Sequence, residues 1–175
     1  MLASIIFVIA VGIVVYVIAR QPDDFRITRS ANMSASPSSV FEQVNDFHKW
    51  EAWSPWAKMD PACQNTFEGA ASGKGAIFRW SGNRKVGQGN MTITESRSPD
   101  LILIRLEFLK PFKAVNTTEF TFKPAGEMTA VTWTMSGTNK FIGKTMSIIM
   151  NCEKMVGDQF EDGLRAMKAI VEKAK

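Results

Sequence analysis

One histidine (His48) and two cysteines (Cys63 and Cys152) are all that the 175 residues hold of those types. A zinc site takes about four Cys, His or carboxylate ligands at close spacing, so a structural zinc centre is excluded. A Cys63–Cys152 disulfide needs an oxidising compartment and spatial proximity; two separate buried thiols are the simpler expectation. Runs of one charge are also missing. The net charge is +4, acidic and basic residues interleave, and the longest basic cluster is Arg84-Lys85. Nucleic-acid binders carry a basic stripe, so no nucleic-acid partner is expected. There is no GxSxG, HExxH, P-loop or glycine-rich dinucleotide motif. No internal repeat is present, which excludes solenoids and propellers. No cofactor and no metal is implied.

Charge is absent altogether from one segment. "LASIIFVIAVGIVVYVIA", from Leu2 to Ala19, carries no ionisable acid or base apart from Tyr16. Eighteen helical residues would span roughly 27 Å, close to the hydrocarbon thickness of a bilayer. Arg20 closes the run and Pro22 ends any helix. A cleaved signal peptide would have a basic stretch before a shorter apolar core; Val17-Ile18-Ala19 could pass as a cleavage site, but the basic stretch is lacking. The expectation is therefore an uncleaved single-pass anchor over residues 1–20, contacting the membrane through residues 2–19. Arg20, Arg26 and Arg29 follow it, which places the remaining domain in the cytoplasm by the positive-inside rule. Residues 21–24 then read as a linker and residues 25–175 as one domain. Its roughly 150 residues suit one core.

Within that domain the pattern changes twice. "FRITRSANM" (residues 25–33) alternates as a first strand, with Arg29 interrupting its apolar face. Ser36 is a good N-cap and Pro37 suits the first helical position, so a helix carrying Val40, Phe41 and Val44 follows. Asn45 or Asp46 caps a second short helix with Phe47, Trp50 and Trp53, limited by Pro55. From Gln64 to Gly137 the period becomes two. Phe78 and Trp80 share one face of their strand, as do Met91 and Ile93, Ile102, Ile104 and Leu106, Phe120 and Phe122, and Val131, Trp133 and Met135. Asn83 sits in a hairpin turn, and residues 124–126 make another. Residues 140–175 return to helical spacing, through Ile142, Met146, Ile149, Val156, Phe160, Leu164, Met167 and Val171. Gly157 and Gly163 mark a bend or a close approach in that helix. The expected fold is α+β: about six antiparallel strands after the first strand and two short helices, with the long last helix covering the sheet's apolar face.

"KWEAWSPWAKMDP" concentrates three of the five tryptophans, Trp50, Trp53 and Trp56. Pro55 separates Trp56 from the other two, so its ring points in its own direction. In this element order the segment closes one end of the core. Trp53 or Trp56 could instead stand at a pocket mouth, and membrane contact is a third role for these rings.

The phrases "ASPSSVFEQVNDFHKWEAWSPWAKMDP", "KVGQGNMTITESRSPDLILIRLEF", "FTFKP" with "VTWTMSG", and "FIGKTMSIIM…FEDGLRAMKAI" resemble the START-like (SRPBCC, Bet v 1-type) superfamily. Within it they are most similar to the polyketide-cyclase/dehydrase and lipid-transport-like proteins. The resemblance covers nearly everything after the linker. It implies the helix-grip fold, a curved antiparallel sheet wrapped around the C-terminal helix, with an elongated apolar cavity between the two. With the strand phases, it implies a pocket lined by Phe78, Trp80, Met91, Ile104, Phe120, Trp133, Met146 and Met150, with Trp53 and Trp56 at one end. Methionine adapts to irregular space and suits varied apolar ligands; ordinary core packing is the alternative for each.

The function expected is a membrane-tethered, non-catalytic binding domain for a lipid or other hydrophobic small molecule. The alternatives are a cyclase- or hydrolase-type enzyme using the same cavity, or a protein-interaction module. Catalysis would need a titratable group facing the cavity. Alternation puts Glu95, Glu107 and Glu119 on the more polar faces. Arg79 or Arg105, if turned inward, could hold an anionic head group. His48 and Asp46 read as adjacent exposed polar residues on a helix rather than as a general base and its partner. No oligomeric state follows from the sequence.

Overall fold

A computed structural model of the chain describes residues 9, 12–13, 15–20, 22–138 and 151–173. β1 (Asp24–Met33) leads into α1 (Pro37–Asn45), a 3-10 turn (Phe47–Lys49), α2 (Trp50–Trp53) and a second 3-10 turn (Pro55–Lys58). Six strands follow: β2 (Gln64–Gly69), β3 (Ala76–Ser81), β4 (Gln88–Arg97), β5 (Leu101–Lys110), β6 (Ala114–Ala125) and β7 (Met128–Thr138). α3 (Cys152–Lys173) completes the described chain.

The strands form one antiparallel sheet in the order β1-β7-β6-β5-β4-β3-β2. The last six are a meander of hairpins, and β1 pairs with the final strand from Asp24↔Thr138 to Met33↔Thr129. Register sets the inner face. One row runs across all seven strands through Phe25, Gly137, Asn116, Leu106, Met91, Phe78 and Phe67. A shift in the β4–β5 register between Ile93 and Glu95 bends the sheet there, as a bulge does.

The start of α1 follows the sequence signal. Ser36 is extended, and its Oγ accepts the Ser39 N–H at 3.2 Å, with Pro37 opening the helix. Asp46 likewise caps the 3-10 turn by accepting the His48 N–H at 2.9 Å. The stripe Val40, Phe41 and Val44 is buried. Phe41 meets Phe122 edge-on at 5.4 Å, which seats α1 on the sheet.

α3 packs along β1 and against α2. Its two glycines are points of close approach. A Cβ on Gly163 would stand 2.9 Å from Trp133 Cζ3 and 3.2 Å from Pro55 Cδ. A Cβ on Gly157 would collide with the Arg29 guanidinium. Arg29, the odd cation of β1's apolar face, crosses the helix at that glycine. Its Nη2 donates to Glu153 at 3.0 Å and its Nε to Glu161 at 2.8 Å, one helical turn to either side of Gly157. The Glu153 hydrogen bond holds the guanidinium pKa above its ordinary value.

The membrane expectation changes. Among the described residues no helix is long and apolar enough to cross a membrane. A span takes about 20 helical residues to cross the roughly 30 Å of a hydrocarbon core. This overturns the single-pass membrane placement, and with it the cytoplasmic assignment that rested on it; residues 1–8, 10, 11 and 14 of that run lie outside the described residues. The last helix, expected over residues 140–175, is described from Cys152 to Lys173. Ile142, Met146, Ile149 and Met150 also fall outside the described residues. No disulfide joins Cys63 to Cys152.

Candidate functional site

The inner face of the sheet has a sealed end and an open end. At the sealed end, Trp133 stacks on Phe160 of α3 with centroids 4.0 Å apart and planes 8° from parallel. Trp50 and Trp53 meet Trp133 edge-on at 6.4 and 5.7 Å, and Phe120 lies 4.8 Å from it. The short helices are tied down by their own indoles. Trp50 Nε1 donates to the Val44 carbonyl at 3.0 Å and Trp53 Nε1 to the Gln43 carbonyl at 3.1 Å. Trp133 Nε1 is buried without a hydrogen-bond partner among the described residues. An orphaned buried donor costs roughly 1–3 kcal/mol, which the stacked rings must offset.

At the open end, inward-facing rings keep contact with solvent. Phe25, Phe78, Trp80 and Phe108 are only partly buried, although they pack against the core. Phe78 and Trp80 stack at 6.1 Å, and Trp80 meets Phe108 edge-on at 5.9 Å. Trp80 Nε1 donates to the Val86 carbonyl at 3.2 Å, which fixes the ring against the β3–β4 hairpin. Gly89, opposite Trp80, has no room for a side chain: a Cβ there would meet Trp80 Cζ2 and Cη2 at 2.5 Å.

The pocket residues expected from the sequence thus divide. Trp53, Ile104, Phe120 and Trp133 are packed core, at 2% exposure or less, and Met91 is buried at 8%. Phe78 and Trp80 lie at the open end, half-buried. Trp56 is half-buried too, and bridges the sealed end by meeting Trp133 at 5.9 Å and Phe160 at 6.3 Å, both edge-on. Met146 and Met150 lie outside the described residues.

The charged candidates face away from the grip. Arg79 pairs with Glu68 at 3.0 Å and Arg105 with Glu107 at 2.7 Å on the outer face, so neither is placed to hold a head group inside. Glu119 lies 3.8 Å from Arg26, also outside. Arg29 is an inward cation, and it is paired with Glu153 and Glu161 of α3; the inner side chains of Thr129 and Ser96 are neutral and engaged. Thr129 Oγ1 donates to the Ala35 carbonyl at 2.7 Å, and Ser96 Oγ to Asn45 Oδ1 at 2.8 Å. His48 is an exposed residue whose Nδ1 lies 2.8 Å from Asp46 Oδ1 and whose ring stacks on Phe67 at 4.1 Å.

Two features escaped the sequence reading. On the outer face an open trough of about 860 Å³ is lined by Leu103, Val115 and Thr117, with Arg26, Arg105 and Ser136 around them. Its apolar residues occupy strand positions that alternation assigns to solvent; Leu103 and Val115 were the available signal. The second is Asp60, 9% exposed, whose carboxylate accepts the Ala62 N–H at 3.2 Å and the Asn83 N–H at 2.6 Å. It ties the loop after the tryptophan segment to the β3–β4 hairpin. Burial first, and then the Asp60 charge, push the neighbouring Cys63 thiol pKa up.

Solved structures share this architecture at low identity. The solution structure of the Aha1 dimer from Colwellia psychrerythraea is 13% identical with a TM-score of 0.62, covering 85% of this chain and 96% of its own. The crystal structure of protein MLL2253 from Mesorhizobium loti is 12% identical with a TM-score of 0.64, covering 86% and 99%. DynU16, described as a putative protein of the dynemicin biosynthetic locus, is 16% identical with a TM-score of 0.61; the match covers 89% of this chain and 49% of DynU16. At such identities the likeness establishes the fold alone. No curated protein matches the chain. The family model for polyketide cyclase/dehydrase and lipid transport matches residues 24–172. That match takes in every strand and nearly all of α3, and the chain belongs to this family.

Proposed function

We propose that the protein binds a lipid or other hydrophobic small molecule on the inner face of its sheet, at the end formed by Phe78, Trp80 and Phe108, and does not transform it. The observation that carries this is the contrast between the two ends of one face. Apart from half-buried Trp56, the rings around Trp133 are sealed, whereas Phe78, Trp80 and Phe108 face inward and stay partly exposed. Inward-facing apolar surface left in contact with water is what a hydrophobic ligand covers. Each 100 Å² so covered contributes about 2.5 kcal/mol before ordering costs. Membership of a family described as polyketide cyclase/dehydrase and lipid transport supports a hydrophobic ligand class. The outward pairing of Arg79, Arg105, Glu107 and Glu119 argues against acid–base chemistry on this face.

Native mass spectrometry of the full chain, purified without detergent, tests the reading. A non-covalently bound apolar molecule is expected, with lower occupancy in Trp80→Ala. A chain that carries no such mass and takes up no added fatty acid would remove the proposal.

A further inference from the structure

Strand direction brings three loops to one end of the sheet. The β3–β4 hairpin (residues 82–87) and the β5–β6 hairpin (residues 111–113) touch directly. Gln88 pairs with Lys110, and a Cβ on Gly87 would collide with the Lys110 carbonyl. The third loop, after Pro55–Lys58, joins them through Asp60, which accepts the Asn83 N–H.

These loops share an unusual surface. The first hairpin presents Arg84 and Lys85, the second Lys110 and Lys113, and the third Lys58; all five are exposed. None has a carboxylate within salt-bridge reach among the described residues, whereas Arg26, Arg79, Arg97 and Arg105 on the strands each have one. Between the cations stand large apolar side chains in solvent: Phe112 at 56%, Leu109 at 48% and Met59 at 37% exposure. The one carboxylate in these loops, Asp60, is buried and engaged. Unpaired cations around protruding apolar tips match a surface that is anionic outside and apolar just beneath. A nucleic-acid backbone satisfies the cations but leaves Phe112 and Leu109 in water.

We infer that this loop cluster docks the protein reversibly on an anionic lipid surface, with Phe112 and Leu109 entering the interface and the five cations meeting the head groups. The contact uses loop tips and requires no spanning helix. It also places the ligand end beside the lipid: Trp80 is bonded to Val86 of the first hairpin and packs on Phe108, next to Leu109. Juxtamembrane cations gain about a fivefold affinity each from anionic lipid.

The test is co-sedimentation of the full chain with phosphatidylcholine vesicles, with and without phosphatidylserine. Binding is expected only with phosphatidylserine, and it falls as salt rises. Lys110→Gln with Lys113→Gln should weaken it roughly twenty-fivefold at the same lipid content. Phe112→Ser with Leu109→Ser should weaken it further at high salt, where the charge contribution is screened. All four positions are exposed, so unfolding midpoints should stay within error of wild type, and Lys168→Gln with Lys173→Gln on α3 serves as the charge control. Wild-type binding in both loop variants, equal binding to neutral vesicles, or an equal loss in the α3 control would each overturn the assignment. So would retention on polyglutamate without binding to vesicles, which would point to an acidic protein instead. The inference fails separately from the ligand reading, because fatty-acid occupancy measured without vesicles should be unchanged in the loop variants.

Discussion

The two glycines of α3 allow the packing account to be tested with one chemical change made twice. Gly157→Ala and Gly163→Ala each gain about 1 kcal/mol of helix propensity. They differ in what the new methyl meets. At Gly163 it meets Trp133 Cζ3 at 2.9 Å and Pro55 Cδ at 3.2 Å. Neither can move freely: the Trp133 indole is buried and stacked on Phe160, and Pro55 opens its 3-10 turn. Overpacking of this kind costs about 1–3 kcal/mol. At Gly157 the methyl meets the far end of a flexible arginine, which can swing out towards solvent at the loss of its screened contacts to Glu153 and Glu161. Gly163→Ala should therefore destabilise by about 1 kcal/mol net, a fall in melting temperature of about 2–4 °C, and Gly157→Ala should be the more stable of the two. Urea unfolding of both variants supplies the numbers. In a Trp133→Phe background Cζ3 is gone and only the Pro55 contact remains, so Gly163→Ala should then cost less. A Gly163→Ala variant that is more stable than Gly157→Ala, or that costs the same with and without the Trp133 indole, would refute the claim that the helix is seated on that ring.

Other perturbations address other joints. Asp60→Asn removes a negative charge that raises the Cys63 thiol pKa, so Cys63 should become more acidic and react faster with iodoacetamide at pH 8; an unchanged rate would leave burial as the sole cause. Ser36→Ala removes the α1 cap and should cost about 1 kcal/mol in urea unfolding. Phe160→Ala, which empties the stack on Trp133, should cost about 3–5 kcal/mol. A loss below about 1 kcal/mol would show that the ring cluster collapses into the space.

Local signals carried much of the fold. Ser36-Pro37 and Asp46 mark helix starts because capping is decided within four residues. Strands β3 to β7 are legible because one face of each is buried and the other is not. β2 is not legible in this way: it is an edge strand, exposed along its whole length, so no alternation is imposed on it. Pro55 correctly separates Trp56 from Trp50 and Trp53, yet which rings are sealed depends on Phe120, Trp133 and Phe160, which lie distant in sequence. Arg29 stands out as an intruder on an apolar face, but its partners Glu153 and Glu161 are more than a hundred residues away. Hydropathy alone favoured a membrane span for Leu2 to Ala19; among the described residues no helix is long and apolar enough to be one. The basic loop cluster is invisible as a run because its cations come from three separate turns and meet only through strand register.

The central claim is that the half-exposed end of the inner face, and not the sealed end, receives an apolar ligand. A brominated fatty acid quenches tryptophans that it touches, and the five indoles are divided between the two ends. Titrated into the full chain, it should quench part of the emission; Trp80→Phe should remove most of that quenching, while Trp53→Phe leaves it in place. Quenching that survives Trp80→Phe but disappears with Trp53→Phe, or no quenching in the wild-type chain, would contradict the account.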